Sequence, residues 1–263
     1  MPIITLTSEW KDSDFYIGAI KGSILKHCGD VRIIDISHQI RTFDIAQAAY
    51  IIRNGYKYFP KDTIHLIFVS GMVPSNRYIA VMADGHYFLA TDNGIFDLIF
   101  AEGIEYRAVE ITPEVQEAAT TTFPEISMLV NAACKLSINF DINQLGNKVT
   151  DIAHQIPLMA VINEASITGK VVFIDSYGNA VCNVSNTLFE RISKGRKFRI
   201  TVKTRYNEIV TIHTAYHDVP TGDLFALFNS EGLLEIGINQ GNAAELLNID
   251  TDTYIRIVFI NPN

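Results

Sequence analysis

Hydrophobic positions fall into two regimes along the chain. Up to about residue 137, short apolar runs alternate with segments whose apolar residues recur every three or four positions. Beyond residue 166, short β-branched and aromatic runs follow one another, separated by Gly, Asn and Asp. The first regime predicts strands at residues 3–7, Val31 to Ile36, Thr63 to Val69, Tyr78 to Ala83 and His86 to Ala90. The last two flank Asp84-Gly85, a tight-hairpin dipeptide because both positions accept positive φ. Ile45, Ala48, Ala49, Ile52 and Tyr56 mark the buried face of a helix behind Asp44, whose carboxylate can cap the first turn. Ile126, Leu129, Val130 and Ala133 mark a second helix, followed by a polar stretch from Ser137 to Thr150. The second regime predicts strands at Val171 to Ile174, Phe198 to Val202, Ile209 to Ile212, Leu224 to Phe228, Leu233 to Ile238 and Tyr254 to Ile260. A small barrel or sandwich accommodates such a series.

The expected fold class is therefore an α/β N-terminal domain with a mixed sheet, over residues 1–155, plus an all-β C-terminal barrel domain, over residues 167–263. A linker is expected at about 156–166, where Pro157 sits in a weakly patterned stretch. The length of 263 residues suits two domains, and 48% hydrophobic against 19% charged residues suits a chain that buries a full core. A net charge of −8 with no basic block argues against a nucleic-acid partner. The N-terminus runs directly into a strand and no 18-residue apolar run occurs, so a cytoplasmic protein with no membrane partner is expected. Cys28, Cys134 and Cys182 lack paired spacing, which predicts buried, reduced thiols and no thiolate metal site.

Chemistry is sought in the loops after strands, where open α/β sheets bind ligands. Thr7-Ser8-Glu9-Trp10-Lys11-Asp12-Ser13-Asp14 offers carboxylates that either hold a vicinal diol or merely cap a helix. Val69 to Arg77 joins two strands through a Gly- and Pro-containing loop that ends in a cation. In the second domain, Asp175-Ser176-Tyr177-Gly178-Asn179 combines a carboxylate, an aromatic face and an amide, which suit an amino group, a purine ring and a base edge. The same five residues also suit a plain hairpin turn. Asn229 to Ile236 and Asn239 to Ala244 form a second polar strip able to bind a carboxylate.

Together these stretches resemble the S-adenosylmethionine hydroxide adenosyltransferases, relatives of the bacterial fluorinase and chlorinase. The resemblance spans nearly the whole chain. It is carried by Val31-Arg32-Ile33-Ile34-Asp35-Ile36-Ser37-His38, Phe43-Asp44-Ile45, Tyr58-Phe59-Pro60-Lys61-Asp62-Thr63-Ile64-His65 and Asp84-Gly85-His86-Tyr87-Phe88. Thr91-Asp92-Asn93-Gly94, Asp175 to Asn179, and the tail from Leu234-Glu235-Ile236 to Asn242-Ala243-Ala244 complete it. It implies a homotrimer with a small-molecule nucleoside ligand held between subunits, and metal-free hydrolysis of S-adenosylmethionine to adenosine and L-methionine without a further cofactor. By the same resemblance Glu9 and Asp14 serve the ribose, Phe43 walls the sulfonium, Asp175 pairs with the amino group, Tyr177 stacks on adenine, Asn179 binds the base and Ser230 the carboxylate.

The reaction centre departs from the family pattern. Arg77 keeps the arginine position, whereas Ser70 stands where an aspartate is expected and Pro124, after Thr122-Phe123, where a histidine is expected. Neither serine nor proline is a base near neutral pH. Glu125 and Glu9 are the candidate substitutes. His38 and His65 are set aside as strand or strand-end residues of the kind that pack and hydrogen-bond. A hydrolase with altered equipment, a non-catalytic adenosyl-binding sensor and a trimeric interaction protein are the three functions this leaves.

Overall fold

The structure is a computed structural model that describes residues 1–71, 77–100, 104–112 and 123–260; the side chains of Arg205 and Tyr206 are left aside. Residues 72–76 of the expected glycine-containing loop, and Thr122, lie outside the described residues. The chain divides into two compact units, Met1–Pro157 and Leu158–Asn263.

In the first unit, β1 (Ile3–Ser8), α1 (Phe15–His27), β2 (Arg32–Ser37), α2 (Ile45–Gly55), β3 (Ile64–Phe68), β4 (Tyr78–Ala83), β5 (His86–Thr91), α3 (Ile95–Ile99), β6 (Tyr106–Ile111), α4 (Pro124–Asn139) and β7 (Gly146–Val149) follow in order. Seven strands form one sheet in the order β2-β1-β3-β5-β4-β6-β7. The ladders β1 with β2, β1 with β3 and β3 with β5 are parallel, and those joining β4, β6 and β7 to the rest are antiparallel, so the sheet is mixed.

Two cores flank this sheet because successive strand side chains point to opposite faces. Ile4 and Leu6 of β1 join Ile20 and Ile24 of α1 and Leu129, Ala133 and Leu136 of α4 on one side. Ile67, Val81 and Phe88 join Ala48 and Ile52 of α2 and Phe96 of α3 on the other. The Asp44 carboxylate caps α2 by accepting the Gln47 N–H at 2.9 Å, as its position before the apolar stripe predicts.

Cys28 and Cys134 are not the reduced thiols expected from their spacing. Cys28 at the end of α1 and Cys134 in α4 form a disulfide, with only Cys182 left as a free, buried thiol. The 106 residues separating them hid the pair, which is made adjacent by the packing of α1 on α4. Burial pushes the Cys182 thiol up to about 12, so it stays protonated and inert.

The second unit contains β8 (Val161–Asn163), β9 (Ser166–Ile174), β10 (Ala180–Ser185), α5 (Asn186–Ser193), β11 (Lys197–Val202), β12 (Thr204–Ile209), β13 (Leu224–Phe228), β14 (Leu233–Ile238), α6 (Ala243–Leu246) and β15 (Tyr254–Ile260). The order β12-β11-β15-β9-β10-β14-β13, with β8 on β9, makes an eight-stranded antiparallel sheet. It curls toward closure, since the chain beyond β12 bridges back to β13 at the far edge through His213 and Leu227. Its interior holds Ile167, Cys182, Val184, Ile200, Leu234, Ile236 and Ile257. The strand expected at Ile209 to Ile212 lies earlier, ending at Ile209, because β11 pairs back on Thr204 to Ile209 through a two-strand hairpin.

Among the described residues, no helix is long and apolar enough to cross a membrane, and no group of three or more His, Cys, Asp or Glu side chains is placed to hold a metal ion.

Candidate functional site

In the first unit the candidate residues gather beyond the carboxyl ends of the parallel strands. Glu9 follows β1, and its backbone N–H continues the ladder by donating to Phe68 O at 3.1 Å. Its carboxylate is held by two main-chain donors. Oε1 accepts from Ser70 N at 3.1 Å, and Oε2 accepts a short hydrogen bond from Phe43 N. Both donors sit in left-handed backbone, at φ +50° for Ser70 and +64° for Phe43, a conformation that non-glycine residues seldom adopt. The structure therefore brings Glu9, Phe43 and Ser70 together, with the Phe43 ring exposed.

Trp10, next along, lies among Tyr16, Phe68 and Phe123 with ring centroids 5.3 to 5.5 Å apart. Asp14 is the exposed N-cap residue of α1; its carboxylate accepts the Lys11 N–H at 3.2 Å and makes no cap bond to the helix. Local capping of its own loop is thus what the structure gives Asp14.

Arg77 is not aimed freely into that loop. Its Nη1 lies 3.1 Å from Asp92 Oδ2, its Nε donates to Glu110 Oε2 at 3.2 Å, and its Nη2 donates to the Asp151 carbonyl at 3.0 Å. Asp92 is buried and also accepts from Ala153 N, while Asn93 reaches back to donate to the Val69 and Ser70 carbonyls. The Thr91-Asp92-Asn93-Gly94 stretch consequently does two structural tasks: it neutralises Arg77 and pins the loop that holds Glu9.

Glu125 occupies the first turn of α4 and is 3% exposed. Burial first, and the nearby Glu9 charge second, raise its pKa above the usual carboxylate value. One oxygen, Oε2, has no hydrogen-bond partner among the described residues. Tyr78 faces the same group: burial and the Glu125 charge push its phenol up to about 12.

Both histidines set aside from the sequence are packed and hydrogen-bonded. His38 Nδ1 lies 2.7 Å from the Ser8 hydroxyl and Nε2 lies 3.3 Å from Asp35 Oδ1. The order Ser, His, Asp resembles a nucleophile relay, but Ser8 is fully buried and already donates to the Trp10 carbonyl, so this array is structural. His65 bonds Thr5 through Nδ1 and faces His86 through Nε2.

The second unit holds a cleft of about 800 Å³ lined by Asp175, Tyr177, Asn179, Tyr216, Phe225 and Asn242, among others. The hairpin reading and the site reading of residues 175–179 both hold, because the β9–β10 turn is the cleft wall. Asp175 Oδ1 accepts from Tyr177 N and Asn179 N at 2.9 and 2.8 Å, and Oδ2 accepts from Asn179 Nδ2 at 3.1 Å. These bonds fix the buried Asn179 and leave the Tyr177 ring 77% exposed, an unpaired aromatic face beside a concave wall. Ser230 is not among the residues lining this cleft; it stands exposed in the β13–β14 turn, whose shape is set by Asn229 Oδ1 accepting from Glu231 N and Leu233 N.

Sequence reasoning missed Tyr216, Phe225 and Glu235. Tyr216 lies outside any strand pattern, and Phe225 reads as ordinary barrel core. Glu235, 4% exposed on β14, has its pKa raised by burial while hydrogen-bonding Tyr216 and Asn229, which ties the Ser230 turn to the cleft. A glutamate alternating with Leu234 and Ile236 in an inward strand was the available signal.

The family profile described as SAM hydroxide adenosyltransferase N-terminal domain matches residues 4–146, and the corresponding C-terminal domain profile matches residues 169–256. An (R)-S-adenosyl-L-methionine hydrolase of Methanocaldococcus jannaschii is 28% identical over 276 residues, covering 98% of this chain and 97% of that one. A fluorinase of Nocardia brasiliensis is 23% identical, covering 97% and 96% respectively. The crystal structure of an uncharacterized conserved protein from Thermotoga maritima superimposes with a TM-score of 0.84 at 26% identity, covering 97% of this chain and 99% of that one.

Proposed function

Because the chain belongs to the SAM hydroxide adenosyltransferase family, we propose that it binds S-adenosylmethionine and hydrolyses it to adenosine and L-methionine. The observation that carries this reading is the β9–β10 turn: one carboxylate, one exposed aromatic ring and one buried amide, locked together by three hydrogen bonds at the wall of a cleft. Asp175 suits an ammonium, Tyr177 a flat base and Asn179 the edge of that base. The names of the curated relatives, a hydrolase of S-adenosylmethionine and a fluorinase, support the same ligand.

The chemistry asks little of the protein. A sulfonium is an activated leaving group, so holding water in line with the C5′–S bond supplies much of the acceleration. Water adds its oxygen to C5′, the C5′–S pair returns to sulfur, methionine leaves as a neutral thioether and the water proton passes to a base. Glu9, Asp14 and Phe43 at the ribose and sulfonium, and Ser230 at the carboxylate, are the further contacts of this proposal. Arg77, held by Asp92 and Glu110, serves it by fixing the loop. The proposal also takes the protein as a cytoplasmic homotrimer that needs no further cofactor and engages neither nucleic acid nor membrane, in keeping with its net charge of −8. Sedimentation velocity tests the assembly.

Titration calorimetry with S-adenosylmethionine and chromatography of the incubated mixture test the ligand and the reaction. The expected result is saturable heat together with adenosine and methionine in equal amounts. Tyr177→Ala is expected to weaken binding by roughly 1–3 kcal/mol, the usual worth of a base stacked on an aromatic ring, with unfolding unchanged because the ring is exposed. Absence of any heat with S-adenosylmethionine or adenosine would sink the reading.

A further inference from the structure

Neither serine nor proline can take a proton from water near neutral pH, so residues 70 and 124 leave the proposed hydrolysis without an evident base. His38 is buried, with Nδ1 on the Ser8 hydroxyl and Nε2 3.3 Å from Asp35 without a hydrogen bond, and Arg77 is a cation paired with Asp92 and Glu110. Among the described residues, Glu125 offers a carboxylate beside position 71. The Glu125 carboxyl group lies against the backbone of Gly71, its Oε1 only 2.6 Å from where a β-carbon on that residue would stand. Gly71 follows Ser70, whose N–H binds Glu9, and the two carboxylates feel each other. The absence of a side chain at position 71 therefore opens the volume into which α4 delivers an oxygen pair beside the Glu9 loop. The second oxygen is buried and without a partner among the described residues, an arrangement that costs stability unless something else uses it.

We propose that Glu125 is the general base of the hydrolysis, taking the proton from the water that attacks C5′ of the adenosyl group. This rests on the function proposed above and deepens it. The water oxygen bonds to C5′, the C5′–S bond breaks with its electrons going to sulfur, and the released proton ends on Glu125, from which solvent removes it after product leaves. Burial and the Glu9 charge make the group a stronger base than an exposed glutamate, which suits proton abstraction closer to neutral pH. The first turn of α4 opposes part of that shift, since helix N-termini favour an anion.

The test uses the full-length protein, with adenosine release measured from pH 5 to 9 and S-adenosylmethionine binding measured by calorimetry. Glu125→Gln is expected to lower kcat by about 10²-fold or more and to abolish the rising acid limb of the rate profile, while binding persists. Glu125→Asp keeps the carboxylate at shorter reach and is expected to retain the limb at a reduced rate, which separates lost chemistry from lost folding. Ser70→Asp, added to Glu125→Gln, returns a carboxylate to the residue preceding Gly71 and is expected to restore part of the rate. If Glu125→Gln, or failing a folded Gln variant Glu125→Asp, leaves rate and profile as in the parent, Glu125 is not the base and the hydrolase reading stands. If the parent protein binds S-adenosylmethionine but releases no adenosine, both the base and the hydrolysis fall and only ligand binding survives. If it does not bind at all, the function itself fails.

Discussion

The side-chain oxygen of Asn179 crosses the backbone of Gly237, 2.2 Å from where a β-carbon on that glycine would stand. The same imagined carbon would lie 2.3 Å from the Phe225 ring. The cleft wall is thus built on a residue of the neighbouring strand that has no side chain, and the Asn179 amide is placed by β14 as much as by its own turn.

Gly237→Ala is accordingly expected to do two things. It overpacks the cleft wall against Phe225 and Asn179, which costs about 1–3 kcal/mol, and it shifts Asn179, so adenosine affinity falls together with stability. Thermal unfolding and calorimetry on the same preparation check this; an unchanged melting temperature with unchanged affinity would contradict the packing account.

The buried His65 gives a pH dependence of known sign. Burial, and then the neighbouring His86, depress its pKa from 6.5 to about 3. The folded state keeps it neutral over that interval, whereas the unfolded chain protonates it near 6.5, so the unfolded state binds more protons and stability falls as pH drops from 6.5 toward 3. The slope reaches about 1.4 kcal/mol per pH unit. Urea unfolding at several pH values should show it, and His65→Gln should flatten the curve while lowering stability at neutral pH through the lost bond to Thr5.

Reduction should be felt across the whole first unit. The Cys28–Cys134 bridge closes a separation of 106 residues, and losing such a cross-link costs roughly 2–5 kcal/mol. Dithiothreitol, or Cys134→Ser, should lower the melting temperature of the protein. Disulfides are rare in the cytosol of most organisms, so mass spectrometry of protein alkylated at lysis also tests the cytoplasmic proposal.

Much of the frame was legible before any coordinates. The apolar stripe behind Asp44, the Asp84-Gly85 hairpin and the change of texture near residue 166 became α2, the β4–β5 turn and the strands from β9 onward, while β8 falls earlier, inside the stretch read as a linker. Local chemistry decides such elements: a cap, a positive-φ dipeptide and a two-residue alternation act over a few positions. The α1 helix was less readable because its apolar residues are mixed with Gly18, Gly22 and exposed Leu25, so packing rather than periodicity defines it. Candidate ligand residues were legible only as residue types in loops, since a carboxylate in a turn looks alike whether it binds its own backbone or a ligand.

The sequence by itself determined the strands around Ile4, Ile34, Leu66, Val81 and Phe88, the helices behind Asp44 and Pro124, that an α/β half precedes a β-rich one, and that the aspartate and histidine the family resemblance places at positions 70 and 124 are absent. Tertiary structure alone decided that Cys28 meets Cys134, that Arg77 is consumed by Asp92 and Glu110, that Glu9 rests on the amides of Phe43 and Ser70, and that Glu125 fills the space above Gly71. Each of these pairs is brought together by strand order and helix docking. Spacing along a chain carries periodicity within an element, but the distance between residues on different elements exists only once the sheet has been assembled and its faces covered.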